Sequence, residues 1–286
     1  MAQHEQVSPK VEEKFHLAQN YMKVTSFGGR DAPFLARMPL LLGMSTTTHE
    51  SSPTHPQQHR VAVVTGVSRG IGREIAGLLL AQGWVVYGCA RRSPQDLEWS
   101  DDTGRLHYAS ADLSTEAGCQ GWIDFVTQHC DRVDMLVHNA GSFVADTLMD
   151  APAGQLEGQM SLHVYSAYRL SRALHPLLKK SDRPYVFTLC SVASLRAYPG
   201  GASYCISKFA LLGFTKMLRQ EWIQEGIAVS AILPGAVYTD SWSASPWPQE
   251  RLMPPADVAS AILHAYAASP RTVFEEILLR PFQGDL

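Results

Sequence analysis

The sequence predicts an α/β fold: about seven parallel strands in one doubly wound sheet with helices on both faces, formed by residues 60 to 286 as a single domain. Three observations predict it. Short apolar, β-branched runs alternate with segments of helical periodicity, the pattern of parallel strands joined by crossover helices. The runs are continuously apolar rather than alternating, as expected where both faces of a sheet are covered. The first run ends in a glycine-rich turn that opens directly into a helix.

Strands are expected near 61–65, 84–89, 106–110, 134–138, 185–190, 227–233 and 273–279, and helices near 70–82, 115–130, 155–180, 203–225 and 256–268. The first strand, Val61 to Thr65, runs into Gly66-Val67-Ser68-Arg69-Gly70-Ile71-Gly72 and then into the helical pattern Glu74 to Ala81. A strand, a glycine turn and a helix N-terminus together form a pyrophosphate site. Backbone N–H groups and the positive helix end face the anion, and glycine lets it approach. The spacing here is G-x-x-x-G-x-G rather than G-x-G-x-x-G.

The second strand ends Gly88-Cys89-Ala90-Arg91-Arg92, without an acid. The fourth, Met135-Leu136-Val137, leads to Asn139-Ala140-Gly141, the fifth ends just before Ser191, and the sixth leads to Pro234-Gly235. All four positions, Gly66 included, follow strands. They therefore converge on one crevice at the carboxyl edge of the sheet, where such sheets bind ligands.

The helix expected from 203 carries Tyr204 and Lys208, with Ser191 thirteen residues before the tyrosine. An i,i+4 pair stands on one helix face. A phenol titrates near pH 10, and a neighbouring ammonium favours its anion, so Lys208 is expected to bring Tyr204 toward the operating pH. Ser191 is placed to hold the oxygen that Tyr204 protonates.

These motifs resemble the short-chain dehydrogenase/reductase family in its classical branch, over nearly all of residues 60 to 286. The resemblance implies a Rossmann-type domain with strand order 3-2-1-4-5-6-7 and hydride transfer between a nicotinamide nucleotide and a carbonyl or alcohol. It further implies that Ser191, Tyr204 and Lys208 are catalytic, with Lys208 also binding the nicotinamide ribose. Asp112, followed by Leu113, matches the acid that touches the adenine. Asn139-Ala140-Gly141 matches the motif after the fourth strand, and Pro234-Gly235 with Val237 and Thr239 matches the loop that holds the carboxamide. Ser68, Arg69, Gly70, Ile71 and Gly72 fall in the pyrophosphate turn.

The chain departs from the family in two places. His163, in Ser161-Leu162-His163-Val164-Tyr165, stands where an asparagine usually helps a proton relay to the lysine; an imidazole either relays protons near neutrality or is a hydrogen-bonded structural group. Ser194 stands where family members often have glycine.

Cofactor choice follows from charge. NAD-selecting members end the second strand in an acid that binds the ribose 2′-hydroxyl. Ala90 occupies that place, Arg91 follows it, and Arg69 lies in the glycine turn. Two guanidiniums suit a 2′-phosphate, so NADP(H) is expected over NAD(H). The expected activity is reduction of a ketone or aldehyde. A nucleotide-binding sensor that no longer catalyses is the alternative, and a lyase or epimerase on nucleotide sugars is a weaker one.

The expected pocket wall is the segment from Tyr238 to Leu252, with Trp242, Pro246, Trp247 and Pro248, and Phe143 and Tyr198 are expected to face it as well; Phe143, Tyr198 and Trp242 are the expected substrate contacts. These aromatics either face a planar apolar substrate or pack a lid.

Composition is consistent with this reading. The chain has 286 residues with 45% apolar and 18% charged content and a net charge of −3, which gives no general attraction to nucleic acid. No apolar run reaches the ~18 residues of a membrane span. Cys89, Cys119, Cys130, Cys190 and Cys205 lack metal-ligand spacing, no metal is expected, and a reduced cytoplasmic setting is the better expectation. Residues 1–59 read as a largely disordered extension, since Ser45 to His59 contains no apolar residue; Met44 is an alternative start. A homodimer or homotetramer is implied by resemblance, with Leu211, Leu212, Phe214 and Leu218 as an apolar stripe that either faces a partner or packs the core.

Overall fold

The computed structural model describes residues 59–97, 99–242 and 247–285. The expected disorder of residues 1–58, and the part assigned to Pro246, lie outside the described residues.

The strands are β1 (Val61–Thr65), β2 (Val85–Ala90), β3 (Leu106–Ser110), β4 (Met135–His138), β5 (Tyr185–Leu189), β6 (Ala228–Pro234) and β7 (Glu276–Leu279). They form one sheet in the order β3-β2-β1-β4-β5-β6-β7. Every pairing is parallel. The chain starts in the middle, winds out to β3, then returns past β1 to β4. That reversal opens the crevice between the carboxyl ends of β1 and β4.

Successive residues of each strand face opposite sides, so the apolar runs feed two cores. Ala62, Val64, Val86, Met135 and Phe187 pack on one face with Ile75 and Leu79 of α1 (Gly70–Ala81) and Val258 and Ile262 of α6 (Pro255–Ala267). Val63, Leu136 and Val186 pack on the other with Trp122 and Val126 of α2 (Glu116–His129) and Leu170 and Leu174 of α4 (Ser166–Leu178).

The segment expected as one helix over 155–180 is divided. α3 (Gln155–Met160) passes into a π-helical turn, Ser161–Tyr165, before α4 begins. The wide turn carries His163, whose side chain is buried. Such turns often mark functional sites. The long helix α5 (Ala202–Trp222) crosses the sheet and carries Tyr204 and Lys208 one turn apart.

Leu211, Leu212 and Leu218 are buried within the single chain. They pack among Ala167, Cys190 and Leu233 or against the α2–α4 side of the sheet, so core packing accounts for them.

Candidate active site

Helix α1 has no side-chain cap and no acid in its first turn, whereas Thr115 caps α2 by accepting from Gly118 N–H at 3.0 Å. The first N–H groups of α1 are left to a ligand or solvent. Gly66 and Gly70 have φ of +77° and +57°, a region open to glycine at little cost. Gly72 does different work. A β-carbon there would lie 2.2 Å from the Gly66 carbonyl oxygen and 2.4 Å from Asn139 Nδ2. Gly72 is therefore the point where α1 packs against the turn, and it does not line the crevice.

Asn139 holds the turn from the other side. Its Nδ2 donates to the Thr65 and Gly66 carbonyls at 2.8 and 3.2 Å, and Thr65 Oγ1 accepts from Asn139 and Ala140 N–H, both at 3.0 Å. The ends of β1 and β4 are thus tied together at the switch point.

One crevice is lined by Ser191, Tyr204, Lys208 and His163, by Gly66, Ser68, Arg69, Gly70 and Ile71, and by Arg91 and Leu113. Asn139, Ala140, Gly141, Pro234, Gly235, Val237 and Thr239 line it too, and so do Phe143, Tyr198 and Trp242. Its volume is about 780 Å³. Of the expected site residues, only Gly72 and Asp112 stand outside it. The Asp112 carboxylate accepts from Ser114 N–H at 3.0 Å and Ser114 Oγ at 2.7 Å, which with Arg91 nearby keeps it below the usual carboxylate range. It shapes the turn after β3.

Ser191 follows β5; its hydroxyl donates to the Pro234 carbonyl at 3.5 Å and stands close enough to the Tyr204 phenol to favour its anion. Ser194 closes a box around it: Ser191 Oγ accepts from Ala193 N–H at 3.1 Å, and Ser191 N–H donates to Ser194 Oγ at 3.2 Å. The side chain that replaces glycine at 194 therefore fixes the serine backbone. The Phe143 ring meets Tyr204 edge-on at 5.2 Å, and the His163 ring does so at 5.7 Å.

The electrostatics run opposite to the sequence expectation. Burial raises the Tyr204 phenol to about 12, opposed by the nearby Ser191 hydroxyl. Burial lowers Lys208 to about 8. Its Nζ donates to the Leu189 carbonyl at 2.7 Å and stands 5.6 Å from the centre of the Tyr204 ring. Desolvation is the largest influence on the phenol, which stays protonated at neutral pH.

This gives a pH signature. Folded Lys208 releases its proton near pH 8, against 10.5 for a free lysine. Between those values the unfolded chain holds the extra proton, so the contribution of Lys208 to stability rises with pH. The thermal midpoint of Lys208→Met, relative to wild type, is expected to fall steadily from pH 8 to pH 10.5 in the nucleotide-free protein. A constant difference across that window would contradict a buried ammonium.

His163 is fully engaged. Ser207 Oγ donates to the Tyr204 carbonyl at 2.8 Å and lies 2.8 Å from His163 Nδ1, while His163 Nε2 accepts from Ser142 N–H at 3.2 Å. That assigns the proton to Nδ1. Burial and Lys208 hold the ring well below the ordinary histidine range, hence neutral. A β-carbon on Gly141 would come within 3.1 Å of Nε2, so glycine at 141 admits the ring. The imidazole positions α5 around Tyr204, with no nitrogen left over for a relay to Lys208.

Several residues of the site escaped sequence reasoning. Asp146 clamps the start of α5: its Oδ1 accepts from Ser203 N–H at 3.0 Å, and its backbone exchanges bonds with Gly200 and Ala202. Asp240 pairs with Arg69 across the crevice. Arg196, Arg280 and Asp285 also line it. The only sequence signal for these was position after a strand or helix.

Comparison with known proteins agrees with this geometry. The sequence model described as short chain dehydrogenase matches residues 60–249. A sepiapterin reductase of Chlorobaculum tepidum is 30% identical over 239 residues, covering 79% of this chain and 98% of the relative. Among solved structures, a short-chain dehydrogenase from Streptomyces avermitilis is 26% identical with a TM-score of 0.70, covering 79% of this chain and 89% of that one. An NADP active-site complex of RhlG from Pseudomonas aeruginosa is 29% identical with a TM-score of 0.69, covering 78% and 95%. The strand order, the glycine turn and these matches establish that the chain belongs to the short-chain dehydrogenase family, whose members are oxidoreductases.

Proposed function

We propose that the protein is an NADP(H)-dependent reductase of a ketone or aldehyde, with the reverse alcohol oxidation using the same groups. The observation that carries this reading is that Ser191, Tyr204 and Lys208 line the same crevice as the glycine turn, with the Lys208 ammonium 5.6 Å from the Tyr204 ring centre. The residues fit a dinucleotide: an uncapped helix N-terminus, positive-φ glycines at 66 and 70, and a turn braced by Asn139. The nucleotide, when bound, supplies the hydride.

The chain's own groups do the rest. Tyr204 keeps its proton at neutral pH and gives it to the substrate oxygen. Ser191 holds that oxygen. Lys208 offsets the phenolate charge left behind. His163, through Ser207, and Asp146, through the first turn of α5, keep Tyr204 in place.

Arg69 and Arg91, with Ala90 in place of an acid, support NADP(H). So does the RhlG relative, solved with NADP. Arg69 reaches a 2′-phosphate by exchanging Asp240 for it. Fluorescence titration is expected to show NADPH binding about tenfold or more tighter than NADH, the scale of one charge-assisted contact. Arg91→Glu is expected to erase that preference. Equal binding of the two nucleotides to wild type would overturn it.

We also propose a homo-oligomer. Large apolar residues lie exposed on α5 and on the segment before and within α4: Tyr165, Tyr168, Ile206, Phe209 and Met217. Such a patch fits burial against a second copy. Size-exclusion chromatography with light scattering is expected to give a dimer or tetramer for wild type and a smaller species for Phe209→Glu. A wild-type monomer would refute it. The five cysteines are free and buried, which supports a reducing, cytoplasmic setting, and among the described residues no helix is long and apolar enough to cross a membrane.

A further inference from the structure

The crevice holds positive charge that the nucleotide reading does not use. Its lining includes Arg69, Arg91, Arg92, Arg196, Lys208 and Arg280 against two acids, Asp240 and Asp285. Arg69, Arg91 and Arg92 follow β1 and β2, on the side assigned to the nucleotide. Arg196 and Arg280 follow β5 and β7, beyond the switch point, and both pair with one carboxylate, that of Asp285.

Asp285 is carried there by a built turn. Gly284 N–H donates to the Pro281 carbonyl at 2.8 Å. The Arg251 guanidinium donates to the carbonyls of Gly284, Gln283 and Asp285 at 3.2, 3.4 and 3.3 Å. The carboxylate lies against Gly235, where a β-carbon would come 3.6 Å from Asp285 Oδ1. The pair of guanidiniums therefore already accommodates a carboxylate. Two cations share one anion, and Arg196 is the looser partner, at 3.4 Å with its side chain 75% exposed. A guanidinium has five N–H donors, of which this contact uses one.

We propose that Arg196 is a substrate-binding residue that recognises a carboxylate on the carbonyl compound, so that the substrate class is an oxo acid. This rests on the reductase reading. A monoanion neutralises the charge left over beside Asp285, whereas a neutral ketone leaves it uncompensated. Arg196 stands five residues after Ser191 and lines the same crevice as Ser191 and Tyr198, so a carbonyl compound bound at Ser191 can present an acid group to it. Arg280, held by Asp285, sets the position of that carboxylate and acts as a positioning residue. Asp285 limits the charge accepted to one.

The test compares benzoylformate with its methyl ester, a matched acid and neutral carbonyl, using NADPH and the full chain. The expected result is a KM about tenfold or more lower for the acid in wild type, the effect of one charge-assisted hydrogen bond. Arg196→Gln is expected to raise the KM of the acid by that factor with kcat little changed, and to leave the ester unaltered. Arg196→Lys recovers part of the loss. Equal use of acid and ester by wild type, or an equal loss for both in Arg196→Gln, would overturn the proposal.

A second readout separates this idea from the reductase reading. Benzoate is titrated calorimetrically into the wild-type and Arg196→Gln proteins without turnover. Benzoate binding that weakens in the variant upholds the anion site even if no carbonyl is reduced. No benzoate binding to wild type refutes it even if a neutral ketone is reduced.

Discussion

Tyr204→Phe is expected to lower turnover by about 10²–10⁴-fold, the usual contribution of a positioned general acid, while nucleotide binding persists. The substitution removes one oxygen. The aromatic ring keeps its edge contacts with Phe143 and His163, at 5.2 and 5.7 Å, so the site stays assembled. What disappears is the phenolic proton donor that shares the crevice with Ser191. The check is a comparison of kcat with the nucleotide dissociation constant for the same preparation. A variant that binds NADPH and retains more than a tenth of wild-type turnover would require another proton source. The His163 nitrogens are both engaged, so the imidazole does not supply one.

Gly72→Ala is expected to be the most damaging small substitution in the glycine turn. The added methyl would sit 2.2 Å from a backbone oxygen and 2.4 Å from the Asn139 amide. Neither moves freely, because that amide ties β1 to β4. Overpacking costs about 1–3 kcal/mol, and a backbone clash lies at the upper end. At about 2–4 °C per kcal/mol for a domain of this size, the thermal midpoint should fall by about 6–12 °C. Gly77→Ala is the control, since nothing lies within 4 Å of its β-carbon position and alanine favours a helix. A Gly72→Ala protein as stable as wild type would contradict the close packing of α1 on the turn.

The fold was legible because both periodicities are strong. The β1 run Val61 to Thr65 and the α1 pattern after Gly70 stand within a residue of where spacing puts them. The 155–180 segment shows where local pattern stops helping. Its helical periodicity continues through Ser161–Tyr165, and the π turn arises from burying His163 against Ser207 and Ser142, contacts 44 and 21 residues away.

The site was legible wherever a residue follows a strand: Gly66, Asn139, Ser191 and Pro234 meet as topology requires. It was illegible where the relevant groups meet only in space. Asp146, Asp240 and Asp285 come from three separate loops, and no spacing links them to Tyr204, Arg69 or Arg196. The Tyr204 and Lys208 shifts were also beyond the sequence. Their i,i+4 spacing shows proximity, but the sign of the phenol shift depends on burial, which only the packed structure supplies.

The proposed reductase combines, in one crevice, a nicotinamide site with a proton-donating tyrosine. The most direct measurement is the loss of reduced-nicotinamide absorbance when NADPH-loaded wild type and Tyr204→Phe are mixed with a panel of ketones, aldehydes and oxo acids. Carbonyl-dependent oxidation is expected in wild type, with its loss in the variant and NADPH bound by both. NADPH binding to neither protein, or equal oxidation by both, would contradict the reductase reading.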